Sequence, residues 1–595
     1  MNSHSTKLIN PFENDNARNS TVEDLPKQFV WTKTFERLIS QKNHIVLGAR
    51  GSGKTAIVKM LSHEYLSRLD HPQAKGIIKS RKFIGVYVPM RLSWVGELKS
   101  STWLDENEQE LHFKWRLNIS CCSSFLNALR SCIDCYSGGV PDKIISERAI
   151  AKEISEAWFD EKAIFTIREI RERLSELEYE KLIAEQRSRL DASADPKSIG
   201  VAFELGLFEP LKRAIEITKK HIDFPIDSSW LLCLDEAEYL DECHHVILNS
   251  HLRTFADGLF FKITTMPYKH YTLETNTNVP LNRKDDFSYI YLDNLDVAAR
   301  TSKGNEFEAL EIFCENIFSK RIKNSGWADS GVSLQSLLGR SYLLSNEEKK
   351  DHSSMMLLIN KHCNEKTRLR AKELVDTKRF ENEISRKLKG ALLLRELRSS
   401  HRGNSNSVAF SGYEMVIRCS DGNPRRFISL LNAFYNGSAE SIASGGFKPI
   451  PPAIQDKILR AYSYDEYKRM VYEPNQGQKV HDVLSLIGKY FQYCMHSQKL
   501  STDLVLSFNF NVNDSDIWSV VADAVGLGLV RPIVERSSFD YLPVKSGVFR
   551  LSYILSPNFN LLPRRGDDVS LSGILTFGVS RGIERNISSA QMELL

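Results

Sequence analysis

The stretch Gly48-Ala49-Arg50-Gly51-Ser52-Gly53-Lys54-Thr55 constrains this chain more than any other. It matches G-x-x-x-x-G-K-[ST] at every fixed position. Its flanks complete a strand, loop and helix. Residues 43–47 are apolar enough for a short buried strand, and from Ala56 onward Ile57, Met60, Leu61, Tyr65 and Leu69 fall on one helical face. Glycines let such a loop curl until successive backbone N–H groups point inward, and the helix adds the positive end of its dipole at the same place. An element of this kind is suited to a phosphate chain. Gly48, Gly51, Ser52 and Gly53 are expected to shape the cradle, Lys54 to reach the β- and γ-phosphates, and the Thr55 hydroxyl to bind Mg2+.

Length leaves room for more than this one unit: 595 residues are enough for roughly two to four domains with cores of their own. A hydrophobic content of 42% and a charged content of 26% are those of an ordinary globular protein. No run approaches the ~18 apolar residues that span a bilayer, so no membrane partner is expected. Residues 1–22, polar and rich in Asn and Ser, read as a flexible start and neither a signal peptide nor an anchor. The ten cysteines are scattered. Cys132 and Cys135 form the one C-x-x-C, without a second pair at zinc-site spacing, so free thiols in a reducing cytoplasm are expected.

Apolar strands alternate with helical stretches over residues 23–300, the pattern of an α/β domain with a parallel sheet. The strand candidates after the loop are 83–88, 230–234, 260–265 and 289–292. A helical insertion interrupts them at about 105–220. Within it Ile167, Ile170, Leu174 and Leu177 repeat at 3-4-3 spacing, too briefly for a coiled coil, and an antiparallel helical hairpin is expected. Residues 301–440 are helical in period. A linker and connecting helix follow at 441–478, and a smaller region with helices and a late strand pair at 479–595.

Three further clusters bear on chemistry. The strand at 231–234 ends in Asp235-Glu236, where Asp235 is expected to hold the shell of Mg2+ and Glu236 to polarise an attacking water. Thr264-Thr265 closes the next strand, at the sheet edge that faces ligands in parallel α/β domains. Far along, Asp421-Gly422-Asn423-Pro424-Arg425-Arg426 stops one helix and opens another, and an arginine there can reach a γ-phosphate. Water activation and a remote arginine disfavour a small-molecule kinase.

In this order, the four pieces resemble the AAA+ ATPases, and among them the origin-recognition and replication-initiator branch with its bacterial relatives. The resemblance covers residues ~25–435 as a P-loop NTPase core with a helical lid, and residues 479–595 as a winged helix. It implies ATP and Mg2+ as cofactors. It makes residues 48–55 the Walker A loop, Asp235-Glu236 the Walker B acids, Thr265 the first sensor and Arg425 the second. The chain departs from the pattern in its long insertion and in a threonine where asparagine is common. Arg253 and Arg283 flank the sensor strand, and either is a candidate arginine finger or a plain surface residue. Trp94-Val95-Gly96 stands where translocating rings carry a pore loop, or packs as a core tryptophan.

The partner is less constrained. In the resemblance to a winged helix, the helix from Asp514 has three aspartates and no Lys or Arg in residues 513–524. Phosphates would repel it, so DNA contacts would fall to the wing and Arg564-Arg565, or the region would bind protein. Residues 361–402 carry thirteen Lys or Arg against six Asp or Glu, although the whole chain has a net charge of only +4. The leading expectation is a cytoplasmic, Mg2+-dependent ATP hydrolase. It would act as a nucleotide-controlled assembly switch, as a homo-oligomer or with a partner protein, on DNA through the basic lid 361–402 or the wing. The alternatives are a signalling or scaffold ATPase that activates a protein effector in bacterial anti-phage defence, and a ring translocase using Trp94.

Overall fold

Strands β1 (His44–Leu47) and β3 (Ser229–Asp235) are buried at every position, as a sheet covered on both faces requires. With β2 (Phe83–Pro89), β4 (Leu259–Thr265) and β5 (Ser288–Tyr291) they form one sheet in the order β2-β3-β4-β1-β5, parallel at every pairing. All five lie where the sequence pattern puts them. The computed structural model describes residues 10–580 except 91–95, 97–105, 162–163, 189–198, 205, 254–257, 294–305, 326–330, 345–351, 401–407, 439–447, 475, 513 and 534–546. Two units divide the chain. Ala17–Leu47 and Lys54–Tyr291 make the sheet unit; Met1–Asn16, Gly48–Gly53 and Leu292–Leu595 make the other.

Polar clamps hold β1 against β4. Lys262, fully buried on β4, donates to Ser40 O and His44 Nδ1, each at 2.8 Å. Burial pulls its ammonium down to about 7. Asn43 accepts from Phe261 N at 2.9 Å and donates to Leu252 O at 2.8 Å.

The helix after the loop is shorter than its apolar stripe. It runs Lys54–Leu61, breaks at an extended Ser62 and resumes as His63–Leu66. Gly85 in β2 packs on the break: a Cβ there would meet Leu61 O at 2.0 Å. His63 is drawn inward by Ser131 Oγ and Tyr136 OH, each 2.8 Å from a ring nitrogen. The insertion is not the single hairpin expected. Glu106–Tyr136, Val140–Phe159 and Ile167–Ser188 pack on one another, followed by Glu209–His221. Ile167, Ile170, Leu174 and Leu177 are buried, and so are Trp115, Phe125 and Leu129 on the first helix, which supplies the third face.

The second unit is helical through Pro424–Gly437, then continues with Pro452–Arg469 and Gly477–His496. Its sheet has the order β7-β8-β6-β9, from β6 (Val505–Phe510), β7 (Val530–Pro532), β8 (Gly547–Leu551) and β9 (Asp567–Ser570). The late strand pair read from sequence is the antiparallel pair β7–β8. Strands β6 and β9 were not anticipated, and β9 has a single apolar residue, Val569, to signal it.

Asp421 is the electrostatic hub of this unit. Its backbone is left-handed at φ 53° and its side chain is fully buried. The carboxylate pairs with Arg550 at 2.9 Å and Arg426 at 3.4 Å, and accepts from Tyr553 N at 2.9 Å and from the Ser552 hydroxyl. Arg531 donates to Asp421 O and pairs with Asp293 at 2.7 Å. Burial would raise the Asp421 carboxyl, but Arg550, Arg531 and Arg426 outweigh it and hold it below the ordinary carboxylate range. Asp421→Ala takes the carboxylate from two cations, Arg550 and Arg426, and is expected to cost roughly 3–5 kcal/mol in a denaturant titration. The folded value is depressed, so this contribution is complete above the unfolded value of ~3.9 and is lost as pH falls through the folded value. The stabilities of the two proteins should therefore converge in acid.

Candidate functional site

In the sheet unit, β3 delivers two acids at its carboxyl end. Asp235 is 1% exposed. Its Oδ1 accepts from Thr264 Oγ1 at 2.6 Å and its Oδ2 from Tyr87 OH at 3.1 Å. Burial, and then the Asp235 charge, push the Tyr87 hydroxyl up. The Glu236 N–H donates to the same Thr264 Oγ1 at 3.0 Å, and Glu236 holds a left-handed backbone at φ 68°. A non-glycine residue in that region costs about 1–3 kcal/mol and persists where its surroundings fix it. One hydroxyl thus sets both acids.

That hydroxyl belongs to Thr264, not to Thr265. Side chains alternate along a strand, so the two threonines point to opposite faces. Thr265 pairs with Leu47, the last residue of β1, and its fully buried hydroxyl has no hydrogen-bond partner among the described residues. Lys54 opens its helix with its Nζ 3.9 Å from Glu238 Oε1. Glu238 is buried, and burial pushes its carboxyl up against the pull of Lys54. The sequence reading missed Glu238, although it stands two residues beyond Glu236. Thr55 lies one position into the same helix. Arg18 ion-pairs with Glu236.

In the second unit, Gly51 and Gly53 have φ of 82° and 94°, conformations that favour glycine. The Ala49 N–H donates to Asp293 Oδ2 at 2.5 Å and the Arg50 N–H to Gly526 O at 2.8 Å. Asn423 caps the helix Pro424–Gly437 by accepting from Arg426 N at 3.1 Å, while its Nδ2 donates to Arg50 O at 2.8 Å. The Arg425 N–H donates to Gly51 O at 3.3 Å, and its guanidinium to Asn16 Oδ1 at 3.0 Å. A Cβ on Gly51 would meet Asn423 Oδ1 at 2.7 Å. The start of this helix, and Arg425 with it, lies on the loop. Arg426 is spent on Asp421, Ser552 Oγ and Gly528 O.

The candidate fingers have partners of their own. Arg253 donates to Val279 O and Pro280 O at 3.1 and 3.2 Å, and Arg283 sits 4.9 Å from the Tyr289 ring centre. Trp94 lies outside the described residues. In the basic region Arg395 is buried, donating to Met495 O at 2.8 Å, His362 O at 3.2 Å and Gln498 O, so it is no surface charge. Arg564 donates to the carbonyls of Arg386 and Lys387.

The sheet order, the loop after β1 and the acids closing β3 define an AAA+ fold. The chain belongs to the ORC-CDC6-like family, whose sequence model matches residues 10–571. Among solved structures it is similar to the ORC2 protein of Aeropyrum pernix, determined as ADPNP–ADP complexes. The identity is 10% over 95% of each chain, at a TM-score of 0.27, too low to carry an argument. None of the curated proteins matches the chain. No helix among the described residues is long and apolar enough to cross a membrane.

Thr264→Val keeps the shape of the side chain but leaves Asp235 Oδ1 and the Glu236 N–H without their shared partner. It is expected to lose roughly 1–3 kcal/mol of stability. Thr264→Ser should recover most of that loss in the same thermal or denaturant measurement.

Proposed function

We propose that this protein is a Mg2+-dependent ATP hydrolase that works as a nucleotide-controlled assembly switch on DNA. The observation that carries the reading is the helix Pro424–Gly437, whose first turn rests on Gly51 although some 370 residues separate them in sequence. A loop that carries a phosphate chain can thereby set the position of a helix that belongs to the lid.

The residues take these roles. The backbone of Gly48, Gly51, Ser52 and Gly53 cradles the phosphates, and Lys54 exchanges Glu238 for them. Thr55 and Asp235 hold Mg2+. The fit rests on Asp235, a buried carboxylate oriented by two hydroxyl donors and so a hard oxygen ligand suited to this ion. Bound there, Mg2+ would neutralise charge that develops on the phosphates. Glu236 takes the proton of a water whose oxygen bonds the γ-phosphorus as the bond to ADP breaks. The buried hydroxyl of Thr265, without a hydrogen-bond partner among the described residues, supports it as the first sensor, and the position of Arg425 on Gly51 supports it as the second. No arginine finger is assigned, because Arg253 and Arg283 both have internal partners.

The DNA surface we assign is the lid. Lys366, Lys372, Lys378 and Lys387 are exposed, with no acidic partner among the described residues. Arg550 and Arg564, by contrast, are engaged within the protein. The C-terminal region is read as a winged helix whose helix Ser515–Gly526 does not meet phosphate. Asp514 serves that helix as its N-cap, accepting from Asp516 N and Ile517 N at 2.7 and 3.1 Å, and Asp516 stays exposed.

Glu236→Gln is expected to bind ATP but to hydrolyse it at least ~100-fold more slowly, and to remain on random-sequence duplex DNA in the presence of ATP. Charge reversal at Lys366, Lys378 and Lys387 should weaken that binding and flatten its salt dependence, because fewer counterions are released. Absence of DNA binding at ~50 mM salt, with ATP and without, would replace DNA by a protein partner.

A further inference from the structure

Beside the acids of β3 lies a short piece of chain that neither the motifs nor the proposed chemistry uses. Lys59, buried on the helix Lys54–Leu61, donates to the carbonyls of Ala17 and Arg18 at 3.0 and 2.9 Å. Its ammonium also lies 5.7 and 5.6 Å from the ring centres of Tyr65 and Tyr87. The backbone at residues 17 and 18 is therefore tied to the element that follows the phosphate loop. From that anchor the Arg18 guanidinium reaches Glu236 and pairs with its Oε1. The same guanidinium interacts with Tyr239, three residues on.

We propose that Arg18 is a positioning residue that withholds Glu236 from water until a nucleoside triphosphate draws the guanidinium away. The proposal rests on the reading of Glu236 as the base. A carboxylate that takes a proton from water needs a free oxygen facing that water, and the Arg18 guanidinium occupies Oε1. Glu236 cannot turn its backbone to escape, because its N–H is held by Thr264 and its φ is fixed at 68°. Arg18 can move. Its side chain is 51% exposed, and half-exposed ion pairs hold weakly. Its backbone, fixed by Lys59, keeps the guanidinium within one side-chain length of the acids. A terminal phosphate carries more charge than a carboxylate and suits the planar donor fork, so it is the natural competitor for Arg18. The pairing of Lys54 with Glu238 repeats the arrangement: in the same unit, each of these two cations is held by an acid. One incoming polyanion can claim both cations and free both acids.

The test uses full-length protein, steady-state ATP hydrolysis and calorimetric ATP binding. Arg18→Ala is expected to raise kcat about tenfold, part of the 10²–10⁴ that a positioned base supplies, with KM changed by less than about twofold. Arg18→Lys, which keeps the cation, should remain near the wild-type rate. Arg18→Ala combined with Glu236→Gln should be as slow as Glu236→Gln alone. If Arg18→Ala does not fold, Arg18→Gln replaces it with the same expected gain. A kcat at or below wild type in a neutral variant that still binds ATP overturns the proposal. So does a Glu236→Gln protein with wild-type turnover, which leaves ATP binding intact but removes the base. Failure of wild type and variants alike to bind ATP overturns the reading of the site, and the proposal with it.

Discussion

The parallel pairing of β1 with β4 is the constraint on which the rest depends. In a parallel sheet all carboxyl ends share one edge. The end of β1, the threonines that close β4 and the acids that close β3 must therefore emerge together, whatever lies between them in sequence. The pairing is fixed by more than ladder hydrogen bonds. Lys262 and Asn43, both buried, link the entry of β1 to β4. A slip of one residue would reverse every side chain on β4 and exchange Thr264 for Thr265. Asp235 would then lose its hydroxyl donor, and the Glu236 N–H its acceptor.

A second constraint acts at residues 421–426. Six consecutive positions supply a buried acid hub, a helix cap, a contact on Gly51 and a buried arginine. Asp421 reaches β8 through Arg550, and Asn423 reaches the loop through Arg50 O. Both contacts fall within three residues of chain, so the segment is held at both ends and is not a loose surface turn.

Much of the sheet unit was legible in the sequence because its signals are local. The five strands are continuous apolar runs, and the loop is a fixed spacing of glycines with a lysine. Where the reading failed, the cause is a long-range partner. The helix breaks at Ser62 because β2 brings Gly85 against Leu61, contact between segments that share no pattern. Arg395 and Arg426 look like surface charges in composition, yet buried carbonyls and acids claim both. The bond of Thr264 to Asp235 has no signal in the sequence, because only strand alternation decides which hydroxyl meets that acid. Glu238 was hidden by the stronger signal of the acid pair before it. Arg18 had no signal at all: it lies 218 residues from Glu236 in a stretch read as a flexible start.

The central claim is that the loop 48–55 binds a nucleoside triphosphate and that Lys54 supplies the cation for it. Isothermal titration of ATP with Mg2+ into the full-length protein and into Lys54→Ala tests this most directly. The account predicts one tight site per chain in the wild type and no measurable tight binding in the variant, with both proteins equally folded by circular dichroism. Equal affinity in the two proteins, or no binding to the wild type, would contradict it.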